Sequence, residues 1–270
     1  MTNIKRMLAG AVALVASSAA SAAIVAPGAD VANNGAGSEL VLTVFDPVAK
    51  ASYTMDLGLT FGQGLSIAHG TTWNVGPIFN NYLNAVGSLA NSSWLVFATD
   101  STQAGSGANL STYGRRHLST SVGLGGPLQN LQLQNLGTAV TTYVGQLNNQ
   151  GTHAGAGNGE AFTPEGIVGY YGSGNLAAIE NNTPFPERSA IGAAMDWVLV
   201  EQQGTLNTTI FGTTFSPAAF TTAPISLGTF SFDGQVLSFA NAAPVPVPAA
   251  AWLFGSAISF LGVARRRQAA

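Results

Sequence analysis

Three histidines, twelve acids and no cysteine are the raw material for chemistry in this 270-residue chain. His69, His117 and His153 form no His-x-x-x-His or His-Glu pair, so a histidine metal site would have to be assembled entirely by the fold. The lack of cysteine excludes a disulfide scaffold, thiolate zinc, iron–sulfur clusters and a thiol nucleophile. No Gly-x-Ser-x-Gly elbow is present for a serine hydrolase. Paired carboxylates are the remaining catalytic option, because glycoside hydrolysis needs two acids about 5 to 10 Å apart in one cleft. Glu160 with Glu165, Asp196 with Glu201, and Glu180 with Glu187 are close along the chain. Glu160, Glu165 and Asp196 are therefore the carboxylates to place first.

Oxygen ligands for calcium are offered by Asp30 with Asn33-Asn34-Gly35, or by Asn158-Gly159-Glu160, but neither has EF-hand spacing and Asx turns account for both. The glycine-rich run Gly155 to Gly159 lacks the following lysine of a phosphate loop. Trp73, Tyr170 and Tyr171, beside polar loops, are candidate aromatic platforms for carbohydrate. No local signature assigns a catalytic, cofactor-binding or metal-binding residue, and no cofactor is expected.

The few charges are more informative in their arrangement. Lys5 and Arg6 precede an apolar run from Met7 to Ala16, and Ala20-Ser21-Ala22 is an Ala-x-Ala pattern. This is the layout of a secretory signal peptide over residues 1–22, cut by signal peptidase after Ala22 or Ala23. Ten apolar residues are too few for an uncleaved anchor. At the other end, Val245-Pro246-Val247-Pro248 leads into an uncharged stretch from Ala249 to Ala264 and then Arg265-Arg266-Arg267. As a helix those sixteen residues measure about 24 Å, short of the roughly 30 Å hydrocarbon core, and the arginines would hold that end in the cytoplasm. The prolines force an extended strip from Ala243 to Pro248, open to a processing enzyme.

Val245 to Ala249, the apolar run through Trp252-Leu253-Phe254-Gly255-Ser256, and the Arg265 to Arg267 cluster together resemble the PEP-CTERM sorting tail in its VPLPA-type variant. Val247 stands where that variant usually has leucine, and no glutamate lies between the prolines. The resemblance covers about the last 26 residues. It implies a Gram-negative cell-surface protein, held transiently at the inner membrane and handled by an exosortase associated with exopolysaccharide and biofilm systems.

Between the two addresses, residues 23–243 carry four bases against all twelve acids, a formal charge of −8. A body of that sign disfavours nucleic acid. Its elements read as β-rich. Glu39–Phe45 and Ser52–Leu59 flank the turn signal Asp46-Pro47, and Thr229–Phe239 forms a hairpin about Asp233-Gly234 with Phe230 and Phe232 on one face. Ser93–Thr99 and Ala194–Val200 read as buried central strands. Pro77 opens a helix carrying Phe79, Tyr82, Leu83, Val86 and Ala90, and a second helix carries Leu133, Leu136, Val140, Tyr143 and Leu147. Gly105 to Gly107, Gly151 to Gly159 and Gly169 to Gly174 read as flexible loops, the one around His153 least ordered.

The expected fold is α+β: a β-rich ectodomain of sandwich-like antiparallel sheets with two amphipathic helices, plus a C-terminal transmembrane helix over part of 244–270. The expected function is a non-enzymatic structural or adhesive surface protein linked to extracellular polysaccharide. A carbohydrate-binding module and a polysaccharide-active hydrolase are the alternatives.

Overall fold

A computed structural model describes residues 24–25, 38–100, 115–150, 153, 159–172, 174–180, 187–202, 205–207, 212–214, 216 and 219–241. The residues of both terminal addresses, apart from Ile24 and Val25 just past the leader, lie outside this set, as do Asp30 and Asn33 to Gly35. No helix among the described residues is long and apolar enough to cross a membrane.

The chain opens with β1 (Glu39–Asp46) and β2 (Ala51–Thr60), then a single helical turn α1 (Phe61–Gly64), β3 (Thr72–Asn74) and α2 (Phe79–Val86). Strands β4 (Ser93–Asp100) and β5 (Arg116–Ser121) precede the long helix α3 (Asn130–Asn148). There follow β6 (Glu160–Pro164), α4 (Asn175–Glu180), β7 (Ser189–Ala190), β8 (Ala194–Glu201), the small pair β9 (Thr205–Asn207) and β10 (Gly212–Thr214), β11 (Ile225–Phe232) and β12 (Val236–Asn241).

Both hairpins read from the sequence are present, and their turns are set by the acids at their corners. Asp46 Oδ1 accepts from the Val48 and Ala49 amides at 2.8 Å, and β1 pairs antiparallel with β2. Asp233 Oδ1 accepts from the Gln235 and Val236 amides, with Gly234 at φ 97° supplying the left-handed position.

The architecture differs from the expected sandwich. Ten strands form one antiparallel sheet in the order β3-β12-β11-β8-β5-β4-β1-β2-β6, with β7 pairing β4, and that sheet curls into a half-barrel. Five strand spacings of about 4.8 Å would set β2 and β11 about 24 Å apart in a flat sheet. Instead Phe79 of α2 touches both, its ring 4.8 Å from Tyr53 and 6.2 Å from Phe232. Helix α2 thus plugs the open side of the curl.

The curl gives the sheet an inner and an outer face. All eight residues of β1 are buried, because alternate side chains are covered on both faces. Leu40, Leu42 and Val44 join the inner core with Trp94, Trp197, Phe230 and Phe232. Val41 and Phe45 join the outer core beneath α3. The five α3 residues picked out by helical spacing are all fully buried in that outer core. The α2 stripe is shorter than expected: the helix stops at Gly87, whose φ of 67° ends it, and Ala90 is exposed in a separate turn.

Candidate functional site

The residues that the sequence singled out for chemistry are dispersed by the fold. Tyr170 and Tyr171, expected as an exposed carbohydrate platform in a flexible loop, are buried. Their rings pack 5.9 and 5.7 Å from Phe45, capping the α3-side core, so burial of aromatic area overrides exposure. Trp73 is half-buried on β3, its Nε1 donating to the Leu57 carbonyl at 3.1 Å and its ring 5.9 Å from Phe230.

The carboxylates separate as well. Glu160 pairs in register with Met55 on the inner face, and burial raises its pKa, with Tyr53 and the Ile78 and Gly76 amides acting the other way. Asp196 sits opposite Ser121 on the outer face and accepts from Ser226 at 3.3 Å. Four strands stand between β6 and β8. Glu165, beyond the far end of β6, makes an exposed ion pair with Lys50 at 2.9 Å. Of the second calcium candidate, Asn158 lies outside the described residues and Gly159 packs against His153.

The histidines carry the larger surprise. His153, expected in the least ordered loop, is fully buried, and its Nε2 lies 3.3 Å from the Thr54 hydroxyl. Burial in this apolar setting lowers its pKa to about 4. His69 Nδ1 accepts from the Asn241 amide at 3.2 Å.

His117 lies at the centre of a chain of groups that sequence spacing did not join. Its Nε2 is 2.9 Å from Glu187 Oε1, and its Nδ1 is 2.9 Å from the Thr99 hydroxyl. With a carboxylate as acceptor at Nε2, the other ring nitrogen is left to accept from the hydroxyl, the order of a carboxylate–imidazole–hydroxyl relay. Such a relay activates a hydroxyl only where a substrate can reach it, and Thr99, His117 and Glu187 are all fully buried. The surrounding bonds are structural. Ser38 Oγ accepts from the Thr99 amide at 2.7 Å, and the Thr120 hydroxyl donates to the Glu187 carbonyl at 2.8 Å. The arrangement clamps β4 and β5 to the segment that enters β7.

Close by, Arg116 pairs with Asp100 at 2.6 Å, and its guanidinium stands 4.9 Å over the Phe61 ring. Arg188 pairs with Glu180 and stands over Phe45. Among the described residues no three His, Asp or Glu side chains group closely enough to hold a metal ion. An alternating strand containing His117 between Arg116 and Leu118 was the only signal in the sequence, and it says nothing of a partner 70 residues away.

One open depression lies on the outer surface between α3 and α4. It is about 420 Å³ and is lined by Asn135, Thr138, Ala139, Thr142, Asn175 and Ala178, an uncharged lining in which apolar surface exceeds the amides and hydroxyls. No protein-family model matches the chain, and neither a curated protein nor a solved structure matches it significantly.

Proposed function

We propose that this chain is an exported cell-surface or extracellular-matrix protein of the exosortase/PEP-CTERM system, a substrate of its sorting enzyme, structural or adhesive rather than enzymatic. Signal peptidase removes the leader, the tail from 244 to 270 holds the protein briefly at the inner membrane, and a sorting enzyme then releases the body to the polysaccharide-rich exterior. The observation that supports this reading is in the sequence: Lys5-Arg6, the apolar run to Ala16 and Ala20-Ser21-Ala22 at one end, and Val245 to Pro248, the uncharged stretch to Ala264 and Arg265 to Arg267 at the other. Cuts at those addresses would leave strands β1 to β12 in the product, together with Ile24 and Val25, which bond to Asn148 and Glu39. The burial of Thr99, His117 and Glu187 in a structural clamp is in keeping with a scaffold role.

Mass spectrometry of the extracellular form, from cells with and without the sorting enzyme, tests the proposal. The expected product lacks both the leader and Trp252 to Arg267, and accumulates in the membrane when the enzyme is missing. A mature species that retains Trp252 to Arg267 would refute it.

The uncharged groove between α3 and α4 favours a second reading, a carbohydrate-binding role at that surface. A sugar could bond the Asn and Thr side chains of this lining through its hydroxyls and lay an apolar face on the rest without needing charge. A glycan array showing binding that is lost on Asn135→Ala and Thr142→Ala would support it, and no binding to any glycan would dismiss it.

A further inference from the structure

Two residues just beyond the leader are built into the fold. Ile24 is 2% exposed and belongs to the core beneath α3. The side-chain amide of Asn148, the last residue of α3, grips its backbone from both sides: Ile24 N donates to Asn148 Oδ1 at 2.9 Å, and Asn148 Nδ2 donates to the Ile24 carbonyl at 2.8 Å. Val25 adds a rung to β1, its amide donating to Glu39 Oε2 at 2.8 Å and its carbonyl accepting from the Glu39 amide at 3.2 Å.

The acceptor in that rung is one of two buried acids. Glu39 is 9% and Asp56 3% exposed, and they lie near enough to repel. Burial first, then Asp56, raise the Glu39 pKa to about 7, and burial also raises that of Asp56. The ion-pairing bases among the described residues, Lys50, Arg116 and Arg188, are engaged with Glu165, Asp100 and Glu180. Buried carboxylates are stable when a cation or a set of donors answers them, and a cut before Ile24 would place a new cation one residue from the nitrogen that already bonds Glu39.

We infer that Ile24 is the first residue of the mature protein, and that its new α-ammonium docks between Asn148 and Glu39 as the cation facing the Glu39–Asp56 pair. The inference rests on the leader reading. Ser21 and Ala23 provide the small residues that a cut after Ala23 requires. Hydrolysis of the Ala23–Ile24 bond consumes one water and leaves a carboxylate on Ala23 and a protonated amine on Ile24. An ammonium donates to Asn148 Oδ1 as the amide does. It stands one residue, about 3.8 Å along the chain, from the nitrogen that already touches Glu39. Leader removal then does more than release the protein: it sets a positive charge beside a buried pair of acids.

The mature chain carries a single lysine, Lys50, with its side chain 58% exposed, so amine labelling reads two groups only. At pH 7 a free α-amine ordinarily reacts ahead of lysine, because its pKa is about 7.7 to 8.0 against about 10.4. The experiment exports the full chain through its own leader, identifies the first residue by mass spectrometry, and compares labelling of folded and urea-unfolded protein. The inference expects Ile24 as first residue, its amine labelled at least tenfold more slowly when folded, and much of that protection lost in Glu39→Gln. A product that begins at Ala23 keeps the leader reading and overturns the inference. Equal labelling of folded and unfolded chains overturns it as well. A product that retains Met1 overturns the leader reading itself.

Discussion

Truncating Glu187 to alanine tests whether the His117 cluster is a clamp. The substitution removes the Oε1 partner of a fully buried imidazole nitrogen while leaving the Thr120 bond to the residue 187 carbonyl in place. Removing one member of a buried pair typically costs about 3 to 5 kcal/mol, because the other is left unanswered in a medium that cannot solvate it. For a domain of this size each kcal/mol lowers Tm by about 2 to 4 °C, so the expected drop is roughly 6 to 20 °C. Urea unfolding at constant m-value gives the same quantity independently. A companion variant carrying Thr99→Val, His117→Leu and Glu187→Leu removes every polar member together and is expected to lose far less than Glu187→Ala alone. The Glu187–His117 double-mutant cycle should show coupling of about 0.5 to 3 kcal/mol. A Glu187→Ala loss below about 1 kcal/mol, or a cycle with no coupling, would refute the clamp.

Phe79→Ala removes the ring that joins Tyr53 to Phe232 and should cost about 3 to 5 kcal/mol in urea unfolding, whereas Phe79→Leu should cost less than about 1.5; equal effects would mean that α2 does not brace the curl. Gly159→Ala should destabilise by about 1 to 3 kcal/mol, because a Cβ there would meet the His153 backbone at 2.9 Å and Nδ1 at 2.4 Å, and a gain in Tm would contradict that packing. Acid stability should carry two opposed contributions. His153 takes its proton at about 4 when folded but near 6.5 when unfolded, so its contribution is present above pH 6.5 and is lost as pH falls to 4, by at most about 3 kcal/mol. In the chain that still carries its leader Glu39 has the opposite sign: its folded pKa is raised from 4.5 to about 7, so its contribution is present below pH 4.5 and is lost as pH rises through 7. In that uncut chain His153→Gln should therefore turn a nearly level profile between pH 4.5 and 6.5 into one that rises toward acid, and unchanged slopes would show that His153 is not held neutral by burial.

Local structure was legible wherever one residue type sets the geometry. Asp46 and Asp233 fix their turns through their own carboxylates, and the five α3 residues at three-and-four spacing are all in the buried stripe, which Val144 also joins. Closure of the sheet was not. A strand such as β1, buried on both faces, has the same apolar run in a sandwich and in one curled sheet. The curl is fixed by Phe79 meeting Phe232, a contact 153 residues apart in sequence. The relay was hidden for the same reason, since Thr99, His117 and Glu187 lie 18 and 70 residues from one another.

The acids show how far composition can mislead about a site. Twelve acids against four bases read as a negative surface, yet Glu39, Asp46, Asp56, Asp100 and Glu187 are buried and bonded within the fold. They act as turn anchors, ion-pair partners and the far end of the clamp. Much of the formal charge therefore holds the body together, and less of it faces solvent than the net −8 suggests. A surface relieved of that charge is left to uncharged groups, as on the mixed polar and apolar wall of the α3–α4 groove. On such a surface adhesion would be governed by hydrogen bonding and would depend weakly on salt, which a binding series across ionic strength can measure directly.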